Sequence, residues 1–283
     1  GRPFVDRLLI KTYGSPRATR LAFELEEIHV CRDRLSRTGE SRSFVDGPQV
    51  WINYLTLNPA RMDDLPQGFE RAVEQAIDRP ALVEYVVGEQ GQATDEFLRV
   101  DTPARDVEKL RGDPAAARAY FKRVVQHGHG VPPVLVFLVR RGEALERAVA
   151  ERIQVNLVDI GVVVSVVEQE LDAFEKRVAE GDYDFYLASP LPLVRSLELQ
   201  LLGVAAGLHS EQGVEEVLQV MRELPAGANR PAMVRERARL FRLRFPWIPL
   251  FQTGQRVVRH DMVKDYLPRA DGLVDMAEVW LAH

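Results

Sequence analysis

The chain has 283 residues, enough for one large domain or two lobes with a buried core, and its 46% apolar and 28% charged residues are ordinary for a globular fold. A net charge of −5 supplies no strong basic field to neutralise phosphates, which argues against a nucleic-acid binder. No apolar run approaches the roughly 20 residues of a membrane-spanning helix, and the lone Cys31 excludes an internal disulfide. No signal peptide or lipidation cysteine stands near the start, but mature or truncated chains lose such segments.

Phe4 to Tyr13 (FVDRLLIKTY) alternates well enough for a strand. Ser15 and Pro16 mark a helix start with Ala18, Leu21, Ala22 and Leu25 as its apolar stripe, and Ile28 to Cys31 reads as a short strand. Residues 36–48, rich in Ser, Arg and Gly, read as loop. Trp51 to Leu57 (WINYLTL) is a strand broken by Asn58-Pro59. Helices are predicted over Gln67 to Ala76 and Pro80 to Val87, with Asp78 as N-cap and Pro80 in a first turn where its missing N–H costs nothing. Asp113-Pro114 repeats that signal for a helix through Val125.

The most informative stretch follows. Pro133 to Val139 (PVLVFLV) is a strand; Leu145, Val149, Ile153, Leu157 and Ile160 then recur at helical spacing, and Gly161 sits where a left-handed cap belongs. Val162 to Val167 is a continuous β-branched run, which predicts a parallel strand covered on both faces. Asp172 to Glu180 forms a helix closed by Gly181, and Phe185 to Leu187 a strand. The unit is βαβαβ, with right-handed crossovers and a parallel sheet. Helices near Gly213 to Leu224 and Pro231 to Phe245, the segment Pro246 to Phe251, a strand at Arg256 to Arg259 and an irregular tail complete the chain.

Several tempting residues have plain readings. His127 and His129 lie in a glycine-rich connection without a neighbouring Cys or acidic ligand, so no metal is expected. N-capping and a local ion pair account for Asp78-Arg79. Arg235 to Arg244 is an amphipathic helix with a solvated basic face, and Cys31 a small buried hydrophobe. No nucleophile elbow, P-loop, dinucleotide fingerprint or matched nucleophile and base occurs, so neither an enzyme nor a cofactor is expected.

Ile160-Gly161, the β-branched strand, the amphipathic helix and the strand entry Gly181-Asp182-Tyr183-Asp184 follow one another as in a known family. They resemble the second lobe of the peptide/nickel/opine class of extracellular solute-binding proteins, the receptors that feed ABC importers. The likeness runs along the chain. GRPFVDRLLIKTY is similar to a family strand entry, LAFELEEIHV to a helix–strand step, and WINYLTLN to a strand ending in a family asparagine, here Asn58. FERAVEQAIDRPALVEYVVG carries Ala76-Ile77-Asp78-Arg79, identical to the family core; GDPAAARAYFKRV matches a family helix, and FPWIPLF with VVRHDMVKDYLPRADGLVDMAEVWL the family ending.

The resemblance implies an α/β, type II periplasmic-binding-protein architecture of two lobes with mixed and parallel sheets. Residues 1–52 would form part of lobe one, 53–248 lobe two around the βαβαβ core, and 249–283 the return to lobe one. The family pattern is entered partway, so the first lobe is expected to be incomplete and the chain a fragment of a longer receptor. The implied function is non-enzymatic capture of a short peptide or peptide-like solute for an ABC permease, in the periplasm or anchored outside the cell, with no cofactor, nucleic acid or membrane span.

Hinge closure would set Trp51, Asn53, Tyr54, Asn58, Arg195 and Phe251 toward the cleft. Each has a competing structural reading: strand aromatics are commonly core, Asn58 before proline shapes a turn, and Arg195 is a solvated loop charge. Family anchor positions are also replaced. The tryptophan falls on Pro190, the aspartate that pairs with a peptide ammonium on Leu193, and an arginine on Glu70, with Arg71 adjacent. A ligand with an apolar or anionic group read by Arg195 fits these positions, and so does loss of binding. The alternatives are a ligand-sensing domain of a regulator and a non-binding interaction scaffold of the same fold.

Overall fold

The computed structural model describes residues 5–32, 43–62, 65–88, 91–98, 107–126, 134–189, 196–207, 211–227, 229–242, 247–269 and 274–282. The Ser15 hydroxyl accepts from the Ala18 amide and starts α1 (Pro16–Glu24), ahead of β1 (Val30–Arg32) and β2 (Ser43–Leu57). Next come α2 (Pro59–Met62), α3 (Phe69–Ala76) and α4 (Arg79–Leu82), which runs on as a π-helical turn, then β3 (Gly91–Ala93) and α5 (Pro114–Gln126). Asp78 and Asp113 cap α4 and α5, each accepting a 2.9 Å hydrogen bond from the amide three residues on. The βαβαβ unit is β4 (Leu135–Arg140), α6 (Ala144–Val158), β5 (Val164–Gln169), α7 (Leu171–Glu180) and β6 (Phe185–Ala188). Helices α8 (Leu197–Gly207), α9 (Glu211–Glu223) and α10 (Arg230–Arg242) lead to β7 (Trp247–Arg259) and the small pair β8 (Val263–Lys264) and β9 (Trp280–Leu281).

The main sheet is mixed, in the order β1-β7-β2-β6-β4-β5, with β3 also on β7. Strand β4 lies parallel to β5 and β6, while β2 is antiparallel to both β6 and β7. The chain steps outward from β4 to β5 and back past β4 to β6. Crossovers of one hand in opposite directions put their helices on opposite faces. Accordingly α6 buries Val149, Ile153 and Leu157 in one core with Leu55, Phe137 and Phe185, alongside α3 and α5. On the other face α7 contributes Phe174, and α8, α9 and α10 contribute Leu201, Val217 and Phe241, against Tyr54, Leu138 and Trp247. In α10 the buried Val234, Ala238 and Phe241 share one stripe, so the helix is amphipathic as its spacing predicts. Gly181 caps α7 at φ 71°, the left-handed conformation expected there.

Several sequence-based expectations are corrected. Residues 5–13 form no strand: Leu8, Leu9 and Ile10 are exposed and no ladder partner pairs with them among the described residues. Alternation favours a strand only where a neighbour satisfies its backbone. Conversely β2 begins at Ser43 inside the expected loop, because β7 offers partners out to Ser43↔Arg259. The two C-terminal segments, Pro246 to Phe251 and Arg256 to Arg259, belong largely to one strand, β7. Helix α8 (LELQLLGVAAG) was not foreseen, since a helix apolar all round has no amphipathic period to detect. The β-branched run is not covered on both faces. β5 is the end strand of the sheet order, with Val163 just before it 52% exposed and only Val164 fully buried within it. Arg79 does not pair with Asp78 but with Glu74, while Asp78 meets Arg111. Cys31 is half-buried on β1, and His127 and His129 lie outside the described residues.

Candidate functional site

The two longest strands, β2 and β7, form an antiparallel ribbon through the middle of the sheet. Directly paired residues of antiparallel strands share a face. The rows Trp51–Thr253–Gly91 and Asn53–Phe251–Ala93 therefore lie on one face of β2, β7 and β3, and Ile52–Gln252–Gln92 on the other. Register shifts fall between Gln49 and Trp51 and between Asn53 and Tyr54, so three residues of regular ladder are bracketed by irregularities that turn the strand.

Asn53 is buried at the centre of a polar cluster. Its Nδ2 donates to Thr253 Oγ1 at 3.2 Å and to the Phe251 carbonyl at 3.4 Å, and its Oδ1 accepts from Ser189 Oγ at 2.6 Å. Ser189 is exposed and is the first residue beyond β6. Trp51 stands half-buried two residues before Asn53 on the same face. On the opposite face Gln252 is buried, and the Gln92 Nε2 is buried without a hydrogen-bond partner among the described residues. Ser189 and Thr253 escaped sequence reading because their proximity to Asn53 arises only from strand pairing.

The other predicted site residues are placed differently. Tyr54 points into the second core, its hydroxyl donating to the Phe97 carbonyl at 2.7 Å and its ring packed on Phe97; burial pushes its pKa far up. Asn58 fastens the end of β2 to the turn between α7 and β6: Nδ2 donates to the Gly181 and Tyr183 carbonyls, each at 2.8 Å, and Oδ1 accepts from the Ala60 amide at 3.0 Å. The ring of Phe251 is fully buried in the first core. Arg195, with Pro190 and Leu193, lies outside the described residues. The structure thus brings Trp51 and Asn53 together and seats Tyr54, Asn58 and Phe251 within the protein.

Beneath the ribbon runs a second anchor. Arg79, 3% exposed, donates from Nε to the Pro249 carbonyl at 2.7 Å and from Nη2 to Glu74 Oε1 at 2.8 Å. Pro249 stands beside the β2–β7 irregularity and has no amide hydrogen to give the ladder. Its carbonyl is tied to α4 instead. Asp184, also buried, accepts from the Val136 amide at 2.6 Å and from Arg61 at 2.7 Å, joining β4 and β6 to α2. Among the described residues no group of three or more His, Cys, Asp or Glu side chains is placed to hold a metal ion, and no helix is long and apolar enough to cross a membrane.

Comparison with known proteins agrees with this architecture. No curated protein sequence matches the chain. Among solved structures, a putative peptide binding protein AppA from Clostridium difficile superposes at TM-score 0.73 with 14% identity, covering 99% of this chain and 62% of that one. NikA from Brucella suis, in complex with Fe(III)-EDTA, gives TM-score 0.74 and 15% identity over 96% of this chain and 61% of its own. DppA from Helicobacter pylori, in complex with the peptide STSA, gives 0.70 and 17% over 96% and 56%. The chain therefore spans about three fifths of the length of these structures, and the likeness establishes a type II periplasmic-binding-protein fold. The family profile of the bacterial extracellular solute-binding proteins, family 5 (its middle part), matches residues 1–192. From the opening segment through β6 and the Asn53–Ser189 cluster, the chain belongs to the bacterial extracellular solute-binding proteins of family 5.

Proposed function

We propose that this chain is the ligand-holding part of a receptor that captures a short peptide or peptide-like solute and hands it to an ABC permease, without catalysis. Family membership over residues 1–192 carries the reading. Two of the similar structures are named as peptide-binding proteins or hold a peptide, which supports a peptide as the ligand class. The site centres on Trp51, Asn53 and Ser189, with Arg195 six residues further along the chain, while Tyr54, Asn58 and Phe251 are committed to contacts within the protein. Backbone hydrogen bonds to an extended ligand would tolerate varied side chains. Residues 53–248 act as one lobe, 1–52 and 249–283 as part of the other, and the β2–β7 ribbon bends between them. The protein works in the periplasm or, anchored to the cell envelope, outside the cell.

A thermal-shift screen against pooled dipeptides to octapeptides, with sugars and nickel as controls, tests this. Ligand at 100 times its Kd adds about 2.7 kcal/mol, roughly 5 °C or more at this size. A shift confined to peptide pools, abolished by Trp51→Ala, supports the reading. A folded protein indifferent to every peptide pool rejects it.

A further inference from the structure

A groove between α3 and α5 has a charge opposite to that of the protein around it. The two helices approach closely because Gly112, at φ 76°, carries no Cβ; one there would stand 2.4 Å from the Gln75 carbonyl oxygen. The Asp113 amide donates to that same carbonyl at 2.8 Å. On the outer side, Gln67, Arg71 and Gln75 recur at intervals of four along one wall, and Tyr120 and Arg123 stand on the other, bordering an open groove of about 630 Å³. That is the size of a small-molecule site. The Tyr120 hydroxyl is committed to the Pro66 and Gln67 carbonyls, which fixes its ring as a rigid wall, and the buried Ala72 and Val124 give an apolar floor.

None of the lining side chains is acidic, in a chain whose net charge is −5. Arg71 is exposed and has no ion-pair partner among the described residues, whereas Arg61, Arg79, Arg140, Arg147 and Arg230 are each paired with a carboxylate. Two guanidinium groups, two side-chain amides and an apolar floor match an anion with an organic body.

We propose that this groove binds a small organic anion through a carboxylate or phosphate group gripped by Arg71 and Arg123. It lies on α3 and α5, apart from the β2–β7 ribbon, so it stands or falls independently of the peptide site. The test is titration calorimetry on the whole chain with citrate and with inorganic phosphate, at low and at physiological salt. The expected result is binding of at least one anion tighter than about 1 mM at low salt, weakened by added salt. Arg71→Gln and Arg123→Gln each weaken it about tenfold, while Lys122→Gln, on α5 outside the groove, leaves it unchanged. Preference between the two anions identifies the carboxylate or the phosphate as the recognised group. No heat with either anion up to about 10 mM, or equal affinity in the Arg71→Gln/Arg123→Gln double variant, overturns the proposal.

Discussion

Replacing Arg79 with methionine isolates the anchor beneath the ribbon. Methionine keeps most of the aliphatic volume and removes both donors. The buried Pro249 carbonyl then loses its 2.7 Å partner, a cost of about 1–3 kcal/mol for an unsatisfied buried acceptor. The contact with Glu74, whose side chain is 24% exposed, is partly screened and adds about 1 kcal/mol or less. Burial pulls the Arg79 pKa down to about 10, with the Asp95 charge opposing, so the side chain is still a cation at neutral pH. Because this native value lies below the ordinary one, the unfolded chain holds the proton more tightly. The cost of burying the cation is therefore present at neutral pH and is relieved as pH rises through about 10. Part of that cost disappears in the variant, leaving a net loss of about 1–3 kcal/mol, or a Tm lower by roughly 2–10 °C. Urea unfolding measures it directly. Arg79→Lys, with one compact cationic head for two partners, should fall between. A methionine variant within about 0.5 kcal/mol of the parent would refute the reasoning, since it would mean that the Pro249 carbonyl does not depend on Arg79.

Asn58→Ala removes three hydrogen bonds and leaves the Gly181 and Tyr183 carbonyls without that donor, so calorimetry should show a loss of about 2–3 kcal/mol even without ligand. An unchanged Tm would contradict the fastening role. Gly112→Ala forces a Cβ against the Gln75 backbone at positive φ; denaturant melts should show a loss of about 2–4 kcal/mol, against a few tenths for a glycine in open space such as Gly142→Ala plus its own φ strain of about 1 kcal/mol. The Glu198 carboxyl is held below its ordinary pKa, first by the Ser196 hydroxyl and further by Arg230. A depressed native value stabilises the fold above the unfolded pKa and ceases to do so as pH falls through the native one. The stability gap between the parent and Glu198→Gln should therefore be present at pH 7 and close toward pH 3, and a gap that does not vary with pH would exclude the effect.

Local chemistry explains what could be read without coordinates. Asp78 and Asp113 cap helices because an oxygen three bonds from the backbone reaches amides that lie three residues along the chain. Gly181 terminates α7 because the left-handed conformation costs glycine nothing. The βαβαβ order follows from the change between helical spacing and β-branched runs, and one handedness rule sets its helices on opposite faces. The same letters carried the family likeness.

The remainder depended on partners distant in the chain. Phe4 to Tyr13 has a strand's alternation, yet its described residues form no strand because none of the described strands pairs with them; the polar Ser43 end of β2 is a strand because β7 pairs with it. Arg79 has Asp78 beside it in sequence but donates to a carbonyl 170 residues away. Asn53 was legible as a polar residue on an apolar strand, while Ser189 and Thr253, its partners, were not. Spacing along the chain encodes caps, periods and crossover order, since each is settled within a few residues. Which strand satisfies which edge, and which buried donor meets which carbonyl, is settled across the whole sheet, where burial makes every unpaired group costly and pairing selects the partner.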